Sequence, residues 1–130
     1  MLKASRTCSW DVAVAGTKNK QGDMSVNTKT FPVSVEGRPF TLTIYWTGTP
    51  TGQIDIEFST DHDPSDQSNP HNGHWDAVNA VLLPAPPTPP AGAAGQYNIT
   101  PEPLRTLFFR INYTAGGSTG AIVCVWNAEK

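Results

Sequence analysis

The chain has 130 residues and carries 9 Lys and Arg against 11 Asp and Glu, for a net charge of −2. That length suits one domain, buries roughly two-thirds of the unfolded surface and needs no disulfide to fold. The near-neutral balance, with its basic residues scattered, excludes a nucleic-acid footprint and a polybasic membrane anchor, and no apolar run approaches the roughly 20 residues of a membrane-spanning helix.

With 11 Gly and 12 Pro, and with Thr, Val and aromatics plentiful, the composition favours short strands joined by turns over helices. Residues 1–9, MLKASRTCS, read as an N-terminal arm or short edge segment. They hold a Lys and an Arg but no apolar h-region, which predicts synthesis in the cytoplasm without a signal peptide. Residues 10–130 read as a single domain. Trp10, Val12 and Val14 alternate with Asp11 and Ala13 as a first strand, residues 16–22 form a polar loop, and Phe31, Val33 and Val35 make a second alternating run. Pro32 has no N–H to give to a ladder, so that run belongs at an edge or a strand start.

The clearest signal is residues 40–61, FTLTIYWTGTPTGQIDIEFSTD. Phe40, Leu42, Ile44 and Trp46 alternate with Thr41, Thr43 and Tyr45, and Ile54, Ile56 and Phe58 alternate with Asp55, Glu57 and Ser59. The intervening TGTPTG is turn material, so the unit reads as a hairpin. A polar loop follows over residues 60–74, extended structure resumes at Trp75, and residues 84–95, PAPPTPPAGAAG, form a polyproline-like excursion. After a short strand at 96–100, residues 107–126 read as a second hairpin, with Leu107, Phe109, Ile111 and Tyr113 on one arm and Ala121, Val123 and Val125 alternating with Ile122, Cys124 and Trp126 on the other. Both faces of this unit are largely apolar, which predicts a central position or a second face covered by a partner. The two units echo each other as Ile-x-aromatic-Thr, a Gly-rich loop, then Thr-Gly-x-Ile, which predicts two loops folded alike at one end of the molecule. The fold class is therefore all-β: a two-sheet antiparallel β-sandwich, jelly-roll or immunoglobulin-like, of seven to nine short strands. Cys8 and Cys124 lie near opposite ends of the chain; a bridge between them needs neighbouring terminal strands, and in a reducing compartment two buried thiols are expected.

Chemistry is sparsely signalled. Asp61, Asp63 and Asp66 crowd with His62, His71 and His74 and are weak metal candidates, but the run lacks the Gly and Glu of an EF-hand and there is no HExxH. The expected role of these residues is to cap local turns. Asp55 and Glu57, about 7 Å apart along one strand face, point to solvent, and no GxSxG or phosphate-cradling loop is present. No catalytic residue, metal or cofactor is expected. Of the four Trp, Trp46 and Trp75 are expected in the core. Tyr45 and Trp126 are the surface candidates for stacking on a sugar ring.

The run TLTIYWTGTPTGQIDIEFSTD, its polar loop and Trp75-Asp76-Ala77-Val78 resemble small tailed-bacteriophage virion domains, in which a strand–Gly loop–strand unit leads to Ser-x-Asp, a loop and a Trp. Ser59, Asp61 and Trp75 occupy those positions, and LFFRINYTAGGSTGAIVCVWNAEK is similar to the closing unit of the same domains. The resemblance spans roughly residues 30–130; the excursion at 84–95 and the long Asp/His loop depart from it. It implies a non-enzymatic virion structural protein, assembled in the host cytoplasm, that decorates or stabilises the capsid through repeated contacts with capsid or tail proteins, as a homo-oligomer. Partner contacts are then expected from the arm (Leu2, Lys3) and the excursion (Pro86, Pro87, Pro89, Pro90), because extended segments add readily to a neighbouring sheet or groove. The rival is a carbohydrate-binding or host-receptor-binding sandwich using Tyr45 and Trp126. A bacterial surface adhesin is disfavoured by the missing secretion signal.

Overall fold

The structure, a computed structural model, describes residues 5–11, 20–77, 95–99 (backbone only over 96–99), 106–117 and 119–128. It is an all-β, two-sheet antiparallel sandwich. Its strands are β1 (Arg6–Thr7), β2 (Gly22–Asp23), β3 (Thr28–Lys29), β4 (Val33–Ser34), β5 (Phe40–Gly48), β6 (Gly52–Ser59), β7 (Asp76–Ala77), β8 (Gly95–Ile99), β9 (Phe108–Ala115) and β10 (Gly120–Ala128). The first sheet runs β1-β10-β5-β8, with β2 also on β10; the second runs β3-β9-β6-β7, with β4 also on β9. The ten described strands exceed the expected seven to nine because five of them are two residues long and leave no legible alternation.

The two supposed hairpins are not hairpins. β5 pairs with β10 and β6 with β9, so each strand–loop–strand unit is an arch whose arms lie in different sheets. A hairpin would turn both apolar faces to the same side of one sheet. An arch turns them toward each other across the core, and the sequence alternates identically in either case because alternation records burial and not the hydrogen-bonding partner.

The echo between the units now has a physical meaning. Trp46 sits opposite Ile122 in the first sheet, and Tyr113 sits opposite Ile54 in the second. The aromatic of each arch therefore packs beside the Thr-Gly-x-Ile isoleucine of the other. The two loops meet at one end, as expected, through Thr49 N–H to the Thr119 carbonyl (3.0 Å) and Gly116 N–H to the Thr51 carbonyl (2.7 Å). The Tyr113 hydroxyl donates to the same Thr51 carbonyl at 2.6 Å. This crossing leaves no room at Gly52, where φ is +138° and a Cβ would run into the Thr114 carbonyl and the Gly116 nitrogen. Gly52→Ala is expected to cost about 1–3 kcal/mol or more, read as a lowered urea midpoint, while Gly37→Ala, also at positive φ (+72°) but with nothing within 4 Å, costs less.

The core joins both sheets: Phe40, Leu42, Ile44 and Trp46 of β5, Ile54 and Ile56 of β6, Phe109, Ile111 and Tyr113 of β9, and Ile122, Cys124 and Trp126 of β10. Phe40 stacks on Phe109 (4.9 Å between centroids, 7° between planes), and Trp126 meets Phe109 edge-on at 6.0 Å. Trp126 is thus 8% exposed and is no surface platform, which corrects its assignment as a sugar-stacking residue. It faces inward with Ile122 and Cys124, while Val123 and Val125 take the outer face. Trp46 is buried as expected. Trp10 is fully buried too, but through an isolated bridge to Thr30; the rest of the predicted strand at Trp10–Val14 lies mostly outside the described residues. The described part of the expected arm is an edge strand, β1, paired with β10 at Arg6↔Trp126 and Thr7↔Val125. Cys8 and Cys124 are buried and unbridged.

Candidate functional site

The polar loop after β6 does not stand off into solvent. Ser59 ends the strand, its hydroxyl donates to Asp61 Oδ1 (3.1 Å), and Asp61 accepts the backbone N–H of His74 (2.7 Å) and its Nδ1–H (2.6 Å). One carboxylate therefore ties the start of the loop to its end. Asn72 completes the closure: its side chain accepts from Asp63 N–H (2.7 Å) and donates to the Asp63 and Asn69 carbonyls (2.8 Å each). The Asn72 carbonyl in turn receives His62 Nδ1–H and Trp75 Nε1–H, both at 3.0 Å. Asn-Gly supplies the turn here, with Gly73 at φ +95°.

The closed loop lies over the outer face of the second sheet. His62 meets Phe108 edge-on at 4.9 Å, and the Trp75 ring covers the Arg110 guanidinium at 4.3 Å. Beneath it Arg110 Nε donates to Glu57 Oε1 at 2.6 Å, with side chains only 11% and 13% exposed. Arg110 and Glu57 are cross-strand neighbours on β9 and β6, so the ladder itself aligns the pair. His71 extends the network: its Nε2–H donates to Asp11 Oδ2 (3.0 Å), its Nδ1 faces Arg110 Nη1 at 3.5 Å, and its ring stacks on Phe31 (5.6 Å, 13°). These partners assign the neutral tautomer protonated at Nε2. His71 thus has a neighbour at each ring nitrogen, and Glu57 is held by its cation. The arrangement fixes the loop on the sheet. The second face of the last unit, expected under a partner if the unit is not central, is covered at β9 by the chain's own loop.

Burial pushes the His71 pKa below its ordinary 6.5, the Lys29 and Arg110 charges add to this, and Asp11 opposes them. In the same loop the Asp61 hydrogen bond raises His74 above 6.5, and His74 in return holds Asp61 at about 2. The unfolded chain therefore takes up a proton at His71 that the folded one refuses, and stability from this group is lost as pH falls below 6.5. The His74 contribution has the opposite sign: it is complete below 6.5 and lost as pH rises through the raised value. Ring-proton NMR is expected to show His71 and His74 titrating on opposite sides of 6.5; a shared midpoint would show that the loop is not closed on the sheet.

Two hollows flank this network. A groove of about 550 Å³ is lined by Phe31, Pro32, His62, Pro64, Asp66, Gln67 and Pro70. A smaller one of about 320 Å³ is lined by Asp11, Asn27, Thr28, Lys29, Asn112 and Thr114. Phe31 borders the first and Asp11 the second, and His71 contacts both of these residues. Sequence reading missed this site. Its one legible signal is the Phe108 and Arg110 pair on the second face of that strand, alternating with Phe109 and Ile111.

The residues singled out from sequence do not converge. Tyr45 is 39% exposed on the opposite sheet, and its intended companion Trp126 is buried. Trp75, expected in the core, is instead a half-buried lid on Arg110. Asp61 is spent on the loop closure, Asp63 and Asp66 on separate local caps with Ser65 (2.9 Å) and Ser68 (2.7 Å), and among the described residues no three His, Cys, Asp or Glu gather to hold a metal. Leu2, Lys3, Pro86, Pro87, Pro89 and Pro90 lie outside the described residues.

No protein-family model and no curated protein matches the chain. Among solved structures it is similar to two cleaved adhesin domains of Lys-gingipain from Porphyromonas gingivalis W83. The K3 domain aligns at 13% identity and a TM-score of 0.42 over 79% of this chain and 63% of that one. The K1 domain aligns at 9% identity and a TM-score of 0.39 over 85% and 73%. This chain thus spans less than two thirds of the K3 domain's length. A likeness at this level carries no argument about function.

Proposed function

We propose that the chain is a non-enzymatic structural protein of a bacteriophage particle, which decorates or stabilises the capsid as a rigid sandwich through repeated protein–protein contacts. One observation carries the reading. Ser59, Asp61 and Trp75, the residues on which the resemblance to virion domains rests, act together in a single loop closure on the second sheet. A motif that is built to hold a loop fits a protein that works by shape. Partners on this reading are capsid or tail proteins and further copies of the chain, with many modest interfaces summing to avidity. Leu2, Lys3 and the prolines at 86, 87, 89 and 90 remain the proposed contacts. The test is quantitative mass spectrometry of gradient-purified particles. Peptides of this chain are expected at a fixed multi-copy ratio to the major capsid protein; a chain found wholly in the free fraction of the lysate would overturn the proposal.

The groove at Phe31 favours a second reading, a carbohydrate- or receptor-binding module. An aromatic ring and three prolines beside Asp66 and Gln67 offer apolar faces next to hydrogen-bonding groups, which is what a sugar ring needs. Glycan-array binding by the isolated chain that is lost in Phe31→Ala and kept in Tyr45→Ala would support it.

A further inference from the structure

We infer that Cys8 and Cys124 form a modification site: a cross-strand thiol pair that closes to an intramolecular disulfide when the protein meets a disulfide oxidant. The inference is independent of the virion reading. The register of β1 on β10, Arg6↔Trp126 and Thr7↔Val125, continues to Cys8 opposite Cys124, and Cys8 N–H donates to the Cys124 carbonyl at 2.9 Å. Directly opposed residues of a hydrogen-bonded antiparallel pair lie about 5.5 Å apart at Cα, inside the Cα range of disulfides, and a small shift of the edge strand brings their Cβ atoms to bonding distance. Opposed side chains also leave the sheet on the same face. Here that face is the core: Cys8 is 2% exposed and Cys124 fully buried.

The same burial keeps the pair reduced while the fold is closed. It pushes the Cys124 thiol well above its ordinary pKa and withholds the thiolate that exchange requires. Access comes through β1. This strand is two residues long, both exposed, and its Arg6 guanidinium rests on the Trp126 ring at 5.3 Å. Fraying of β1 carries Cys8 outward while Cys124 stays on β10, still held by its pairing with β5 at Ile44. The Cys8 thiolate then attacks a small-molecule disulfide such as oxidised glutathione, forming a mixed disulfide and releasing one thiol. When β1 re-pairs, Cys124 attacks the Cys8 sulfur and releases the second. The protein loses two protons and two electrons, and the acceptor gains both as two thiols. The product links one end of the described chain to the other and closes nearly all of it into a loop, the arrangement in which a cross-link restricts the unfolded state most.

The test is incubation of the purified chain in reduced and oxidised glutathione buffers, followed by intact mass, non-reducing electrophoresis and thermal unfolding. Expected in oxidised buffer are a monomer that has lost two hydrogens, a single Cys8–Cys124 cross-linked peptide, and a Tm raised by roughly 10 °C that dithiothreitol reverses. Arg6→Ala is expected to speed formation several-fold by releasing β1. Two titratable thiols after denaturation of the oxidised sample, or disulfide-linked dimers in place of the monomeric product, would overturn the inference.

Discussion

Arg110→Ala is expected to destabilise the protein by about 3–5 kcal/mol, because it leaves the Glu57 carboxylate 13% exposed without its cation. The same change removes the guanidinium under Trp75 and the partner of His71 Nδ1, so the loop at residues 60–75 should detach from the sheet as stability falls. Limited proteolysis within residues 63–70 reads the detachment, and urea unfolding reads the cost. The double variant Arg110→Met with Glu57→Leu distinguishes a broken pair from a necessary one. Removing both charges together is expected to recover most of the loss, since a buried ion pair is worth little more than well-packed apolar groups of similar volume. If Arg110→Ala were nearly neutral, the loop would not be closed on this face.

Trp126→Ala should be as costly, about 3–5 kcal/mol, because it opens a cavity beside Phe109 in the interior. It also removes the ring on which Arg6 rests, so β1 should fray further. Tyr45→Ala, on an exposed ring of the same sheet, is expected to stay within about 0.5 kcal/mol of the parent. Equal and small effects for the two substitutions would restore Trp126 to the surface and with it the two-ring sugar platform.

Much of the fold was legible. Strict alternation in 40–46 and 54–58 placed Leu42, Ile44, Ile54 and Ile56 in the core, and the Thr-Gly echo placed the two loops together. Connectivity was not legible, because Trp46 has the same neighbours in sequence whether it pairs across a hairpin or, as it does, with Ile122 in a distant arm. Trp126 was misplaced for a related reason. Val123 and Val125 offer as apolar a face as Ile122 and Cys124, and only the paired strand β5 shows which set points inward.

The candidate site was hidden by composition. Residues 60–74 hold so many Asp, Asn and Ser that they read as solvated, and the local caps by Asp63 and Asp66 agree. The contacts that lay the loop on the sheet come from distant places: Asp11 and Arg110 meet His71, Arg110 meets Trp75, and Glu57 meets Arg110, all only through tertiary pairing. An Arg on an outward strand face beside Phe108 was the available clue, since such a pair asks for a cover. The closure that Ser59, Asp61 and Trp75 make above the Glu57–Arg110 ion pair is likewise set by tertiary contacts that their spacing in sequence does not show.

Everything assigned to the second sheet, its loop and its grooves, depends on the two arches crossing between sheets. Cross-strand proton NOEs test this most directly. The crossing predicts backbone contacts between Trp46 and Ile122, Gly48 and Gly120, and Ile54 and Tyr113. Contacts instead between the arms of each unit, Trp46 with Ile54 or Tyr113 with Ala121, would mean that both are hairpins and would contradict the architecture on which the proposed function stands.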